Sequence, residues 1–570
     1  MSDLVTLSSK DGVGIITINN PPVNALSHGV PEGIVAALRK ANADDSVHAI
    51  VMIGAGRTFI AGADITQLGT GEDPDLHPKL LVIEDSPKPV VMALHGTALG
   101  GGLEVAMAGH YRVAAPGTEV GQPEVNLGLI PGAGGTQRLP RLAGVVKAVD
   151  LCVSGAPIGA NDALAAGILD EIVAGDLLSG AIAFARRVAA ERGGWPKTRD
   201  RVSKLGGAAE NEPIFAAGRE QAQKLRPNQI APLKAIEAIE AATRLPFEEG
   251  SRREQALFRE CLESTQAKAM IHAFLGEREV AKLPGLSKNT PVPLVNRCAI
   301  VGSGKIAEQI AARFSKAGIP FVSKGTDAAV PHFAGDGFED VDLILEAGMD
   351  VVARLTNRPE SFVGLHFVGP ANVTRLVEIV RGKAAGLEVI AAALALAKRL
   401  KIIGVVVGDC PALVGDRLRS RYFQEAQSLV DEGAAPQQID RALVDWGMSA
   451  GVFHQQNQAG VPRREVSTRE IVERCIYALV NEGARILEEG CALRANDVDI
   501  VCLTGYGFPV YRGGPMWYAD TMGLKQVLSR IEDFERQHGG AWAPAPLLQR
   551  LVKEGKTFAG FDADRRAAQA

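Results

Sequence analysis

Cysteine is sparse in this 570-residue chain: Cys152, Cys261, Cys298, Cys410, Cys475, Cys491 and Cys502 are scattered, without a CxxC pair or Cys/His ligand spacing. That pattern points away from a zinc site or any other metal and predicts buried thiols rather than a disulfide framework. Runs of basic residues are also lacking, and the formal net charge is -5, so neither nucleic acid nor an anionic surface is expected as a partner. No uninterrupted apolar stretch reaches about 18 residues, which predicts no membrane insertion. The N-terminal "MSDLVTLSSKDG" has no basic region followed by an apolar one, and the terminal "RRAAQA" is not a peroxisomal tripeptide. The expectation is a cytoplasmic protein.

What is present is enough apolar residue, 46%, to build sizeable cores, in a chain long enough for two to four domains. Residues 1–175 alternate short β-branched runs, "GVGIITI" and "HAIVMIGAG", with a helical pattern at Val30, Ile34, Val35 and Leu38. Residues 176–290 change to charged, alanine-rich amphipathic helices ending in the proline-containing "KLPGLSKNTPVPLVN", a linker by composition. A third region, 291–408, opens with strand, Gly302-Ser-Gly304-x-x-Ala307 turn, helix and strand, the start of a dinucleotide-binding unit. The remainder is helical and repeats itself. "EAQSLVDEGAAPQQIDRALVDWGMSAGVF" lies over "EGARILEEGCALRANDVDIVCLTGYGFPVYRGG", which predicts two related all-α domains, 409–465 and 466–570.

The chemistry concentrates in "GGGLEVAMAGHYRVAAPGTEVGQPEVNLGLIPGAGGTQRL". Glycines at a helix start let backbone N–H groups face a ligand that gathers negative charge, as a thioester carbonyl does on becoming an enolate. Glu104 sits one turn into that helix, and Glu124 stands in a second glycine- and proline-rich loop. Two carboxyls converging on one volume can hold a water or shuttle a proton between neighbouring carbons. The bland alternative is packing glycines, a dipole-compensating Glu104 and an ordinary loop glutamate.

"NPPVNALS", "RTFIAGADI", "HGTALGGGLEVAMAGHYRVA" and "QPEVNLGLIPGAGGTQRLPRLAG" together resemble the enoyl-CoA hydratase/isomerase (crotonase) family over about residues 5 to 175. The resemblance implies an α/β spiral of strand-strand-helix turns, with the N–H groups of Ala63 and Gly101 as oxyanion hole and Glu104 and Glu124 as the acid/base pair. It implies an acyl-CoA thioester substrate, addition of water to a trans-2-enoyl-CoA or migration of its double bond, and no cofactor for hydration. Arg57 could meet a CoA phosphate or simply be solvated; His95 and His110 read as packed rather than catalytic.

"CAIVGSGKIAEQIAARFSKAGIPF", "VDLILEA", "GLHFVGPANVTRLVEIVRGK" and "YGFPVYRGGPMWYAD" resemble the 3-hydroxyacyl-CoA dehydrogenase family, so the whole chain is similar to the multifunctional enzymes of fatty-acid β-oxidation. The resemblance implies NAD held at Gly302 and Gly304, and a catalytic pair His366 and Glu378. Several positions depart from it. Ser323 and Lys324 stand where an acid would bind the ribose, the family's Asn-Thr-Ser segment has no counterpart, and Asp416 replaces an asparagine. About 65 residues separate the glycine turn from His366, too few for a full doubly wound sheet when one βαβ unit takes about 30. The expectation is therefore an α/β multidomain protein with a working hydratase or isomerase and a shortened, impaired Rossmann-like dehydrogenase region. A fully bifunctional enzyme and a non-catalytic acyl-CoA binding protein are the alternatives. A thiolase partner, and a state between monomer and small homo-oligomer, stay open.

Overall fold

In the computed structural model, residues 4–69, 75–191, 194–287, 289–295, 298–301, 305–324, 343–346, 363–369, 374–382, 385–453 and 464–569 are described. The chain clusters into two compact units, Met1–Ile271 and His272–Ala570.

The first unit is built on a six-stranded sheet. Val5–Lys10 and Val13–Ile18 form an antiparallel hairpin at one edge, and Ala49–Gly54, Val90–Leu94, Tyr111–Ala114 and Glu171–Ile172 follow in parallel. Both faces are covered, so the central strands read as continuous apolar runs, and every residue of "VVMAL" at 90–94 is buried. Their alternation divides the core. Ile16, Ile50, Met52, Val90, Met92 and Leu94 join one cluster, and Val13, Ile15, Val51, Val91, Ala93 and Val113 the other. The second face is closed by the helix Leu177–Ala190 through Ala181, Phe184, Ala185 and Val188. Further along, Phe215, Ala222, Ile236, Ile239, Leu257 and Cys261 join the main cluster. The helices following residue 176 thus form part of the body of the first unit.

In the second unit, Cys298–Val301 lies between Phe321–Lys324 and Leu343–Glu346, all parallel. Gly364–Phe367, Leu376–Arg381 and Ile403–Gly408 make a second three-stranded sheet whose first pair is antiparallel. The two sequence repeats fold alike. Val414–Asp431 followed by Pro436–Trp446 echoes Thr468–Glu488 followed by Ala495–Gly505, each a long helix and then a short one.

One expectation fails in this unit. Cys410 and Cys491 form a disulfide, with Cα atoms 5.9 Å apart. The bridge Val407↔Ala492 and the bond from Gly408 N–H to Cys491 O bring together two segments 81 residues apart in sequence. Local spacing cannot reveal such a pair. The other five cysteines are buried.

Candidate active site

The helix Gly101–Ala108 is short and wholly buried, and its start is set by contact rather than by a polar cap. A Cβ on Gly102 would lie 2.1 Å from Ile60 O, and one on Gly100, at φ 52°, would lie 2.6 Å from Glu124 Oε1. Only glycine lets the helix start so close to its neighbours. In a first helical turn the N–H groups have no carbonyl of the preceding turn to meet, so that of Gly101 is available to a ligand. Ala63 N lies 3.6 Å from where a Gly101 Cβ would stand, which brings the two expected oxyanion-hole residues side by side. Both line a cavity of about 440 Å³, together with Glu104 and Glu124; Ile65, Leu68, Leu127 and Phe258 make much of its wall apolar.

The two carboxyls have unequal support. Glu104 is 3% exposed, and its Oε1 accepts the N–H groups of Ala133 at 2.7 Å and Gly135 at 2.8 Å. Burial, with the nearby Glu254 carboxylate adding, raises its pKa to about 7 against the pull of those donors. Glu124, on the short 3-10 helix Pro123–Leu127, is raised well above the ordinary glutamate value by burial and by the charge of Glu104. With its amide nitrogen turned toward Glu124, the buried Gln122 donates to both carboxyl oxygens at 3.1 Å. Two coupled acids, both pushed up, can divide the work, one ionised and accepting a proton while the other stays protonated and donates one.

Sequence reasoning missed Glu254 and His77. Glu254 lies on the helix Phe247–Glu263 with no solvent exposure, and His77, lining the cavity, brings Nε2 to 3.5 Å from its Oε1. Glu254 was hidden in the alanine-rich helices, where a charged residue every turn is the norm; the only signal is its place opposite the "GAGGT" loop, which needs the fold. Arg57 is exposed and does not line the cavity. His95 Nε2 meets Gly54 O at 2.9 Å. His110 is buried, accepts Val90 N–H at Nδ1 and places Nε2 3.1 Å from Glu84 O; burial lowers its pKa to about 4, so it is a neutral packing histidine.

In the second unit His366 and Glu378 are direct cross-strand partners, with Nδ1 3.7 Å from Oε2, an ion-pair rather than a hydrogen-bond distance. Glu378 is fully buried and its Oε1 accepts Gly415 N–H at 2.8 Å. Asp416 places Oδ2 3.9 Å from His366 Nε2, so each ring nitrogen faces a carboxylate. Burial pulls the pKa of His366 down, but Glu378, reinforced by Asp416, outweighs it and the net direction is upward. A cavity of about 460 Å³ in this unit is lined by Thr374, Arg419, Phe423, Met448 and Tyr506, without His366. Gly302 and Gly304 lie outside the described residues. The strand that should carry the ribose-binding acid, Phe321–Lys324, ends on Ser323 and Lys324. Among the described residues of that strand there is no acid to bind the ribose.

Residues 8–193 match the enoyl-CoA hydratase/isomerase family. Residues 346–410 match the NAD binding domain of 3-hydroxyacyl-CoA dehydrogenase, and 471–561 its C-terminal domain. The chain is 32% identical to the peroxisomal bifunctional enzyme of Danio rerio over 698 aligned positions, covering 96% of each chain. It is 31% identical to the glyoxysomal fatty acid beta-oxidation multifunctional protein MFP-a of Cucumis sativus over 700, again 96% of each. Since this chain has 570 residues, more than a hundred positions of each alignment face no residue here. Among solved structures, a carnitinyl-CoA dehydratase from Mycobacterium avium 104 is 30% identical, with 48% of this chain and 97% of that one covered and a TM-score of 0.36. The names of the relatives, peroxisomal and glyoxysomal, overturn the cytoplasmic expectation, which rested on terminal signals alone. The chain belongs to the multifunctional enzymes of fatty-acid β-oxidation, in which an enoyl-CoA hydratase/isomerase domain precedes 3-hydroxyacyl-CoA dehydrogenase domains.

Proposed function

We propose that the first unit hydrates trans-2-enoyl-CoA thioesters to 3-hydroxyacyl-CoA, with Glu104 as the ionised and Glu124 as the protonated member of the pair. The observation that carries this reading is the unequal support of two carboxyls, Glu104 buried and Glu124 half-buried, on one cavity. Glu104 accepts two backbone N–H groups, which favour its charged form, whereas burial and the charge of Glu104 favour the protonated form of Glu124. Ionised Glu104 takes a proton from the attacking water as its oxygen bonds to the β carbon. The thioester oxygen gathers charge beside the N–H groups of Ala63 and Gly101, and Glu124 then protonates the α carbon. The apolar wall, with Leu127 and Phe258, receives the acyl chain. The dehydrogenase half does not turn over in this reading, because the strand end lacks its acid and His366 sits between two carboxylates.

Loss of the conjugated absorbance of crotonyl-CoA or a longer enoyl-CoA measures hydration, and subsequent addition of NAD measures NADH. Hydration without NADH is expected, with activity falling on the acid side as pH drops through about 7, where Glu104 gains its proton. No hydration of either substrate at any pH would refute the assignment, and NADH would establish a bifunctional enzyme instead.

A further inference from the structure

Loop 133–136 divides its amides between two carboxylates. Ala133 and Gly135 donate to Glu104 Oε1. The alternate residues turn the other way: Gly134 N–H donates to Glu254 Oε1 at 2.5 Å, and Thr136 donates to Glu254 Oε2 through N–H at 2.8 Å and through its hydroxyl at 2.5 Å. Gly134 has φ 94°, and a Cβ there would stand 2.2 Å from Arg138 Nη1, so the alternation depends on glycine. A buried carboxylate without a cation at hydrogen-bond distance is costly. Glu254 is held by backbone and hydroxyl donors, with His77 Nε2 at 3.5 Å, and it is spent on the one loop that also grips Glu104.

We propose that Glu254 is a positioning residue for hydration, clamping loop 133–136 from the side opposite Glu104 so that the amides of Ala133 and Gly135 meet Glu104 Oε1. Its charge also sets how readily Glu104 ionises. The groups acting on Glu104 are Glu124 from the second loop, Glu254 from its helix and His77 from the helix His77–Glu84. Arg138 from the helix Gly135–Ala143 is bound to Glu84. Glu254 opposes ionisation, so removing its charge while keeping its size and one of its two acceptor oxygens favours the carboxylate form of Glu104.

The test compares Glu254→Gln and Glu254→Ala with the wild type in the full chain. One arm is the pH profile of crotonyl-CoA hydration. The other is 13C NMR of labelled glutamate carboxyls, with Glu104 assigned through Glu104→Gln. In Glu254→Gln the Glu104 titration is expected to move down from about 7 by roughly one pH unit, and the acid limb of kcat/KM to move with it. In Glu254→Ala the loosened loop is expected to lower kcat roughly tenfold or more with little change in KM. An unmoved Glu104 midpoint in a folded Glu254→Gln protein would overturn the proposal, whatever the activity. Should Glu254→Ala not fold, Thr136→Val removes one donor to Glu254 and is expected to lower kcat in the same direction. The proposal rests on the hydratase reading only in its kinetic arm: a wild type that hydrates nothing would refute that reading, while the NMR arm still decides the role of Glu254.

Discussion

Glu104 and Glu124 of the first unit are two carboxyls lining one cavity, the first buried and the second half-buried, whereas His366 of the second is one imidazole between two carboxylates. In the first arrangement burial and like charges push both acids up, Glu104 to about 7, so a proton can be given and taken there. In the second, against the pull of burial, the carboxylates of Glu378 and Asp416 favour the protonated ring and move its pKa upward. The charge of the neighbours thus decides which way each site's proton affinity moves, upward by burial and like charge for the acids and upward by opposite charge for the imidazole.

Breaking the first arrangement should give the largest effect. Glu124→Gln and Glu104→Gln keep shape but remove proton transfer, and each is expected to lower hydration roughly 10²- to 10⁴-fold with little change in melting temperature. Activity within tenfold of wild type in either would end the claim that the pair does the chemistry. Gly100→Ala should cost less but act through the same atoms. Its Cβ would meet Glu124 Oε1 at 2.6 Å, and the left-handed backbone resists a side chain, so kcat is expected to fall roughly 100-fold while the fold persists. Steady-state kinetics beside a circular-dichroism spectrum checks both halves of that statement.

A third variant loads the scaffold instead of the chemistry. Arg138 and Glu84 form a fully buried pair at 2.8 Å, and Glu84 Oε1 also accepts Arg199 N–H. Glu84→Gln leaves the guanidinium without its charge partner, which is expected to cost about 3–5 kcal/mol. Denaturant titration of the first unit's transition should show that loss. A change below about 1 kcal/mol would mean that the pair is more solvated than its burial indicates.

How much of this was legible in the sequence follows from the range of each signal. The "GGGLE" and "QPE" segments carry Glu104 and Glu124 because glycine, helix start and acid are neighbours in the chain. The strands of the first sheet were readable from short β-branched runs such as "GVGIITI" and "HAIVMIGAG". Glu254 was not, because its partners are backbone amides 118 and 120 residues away, and backbone amides leave no mark in a sequence. The Cys410–Cys491 pair was missed for a related reason: only the strand bridge beside it shows that the two residues meet. His77 is a lone histidine before a proline, and nothing local distinguishes it from a solvated helix start.

The smallest effect is the most discriminating. Asp416 is about half exposed, so its hold on His366 is screened, and Asp416→Asn is expected to lower the His366 titration midpoint by a fraction of a pH unit to about one unit. The sign follows from the charge: a neutral amide no longer favours the imidazolium, while Glu378 remains in place across the strand pair. Linkage gives a second check. A histidine raised in the folded state contributes stability below its unfolded pKa and loses it as pH rises through the folded value, so the variant should lose a little stability at acid pH and none at alkaline pH. Proton NMR of the imidazole reads the midpoint, and an unchanged one would show that Asp416 does not act on the ring. NADH formation from a 3-hydroxyacyl-CoA separates the two defects of this unit. The variant is expected to form none, since freeing the base does not supply an acid at the end of the strand Phe321–Lys324. If NADH does form, charge at residue 416 was the whole impairment, and the contrast between the two sites reduces to a single carboxylate.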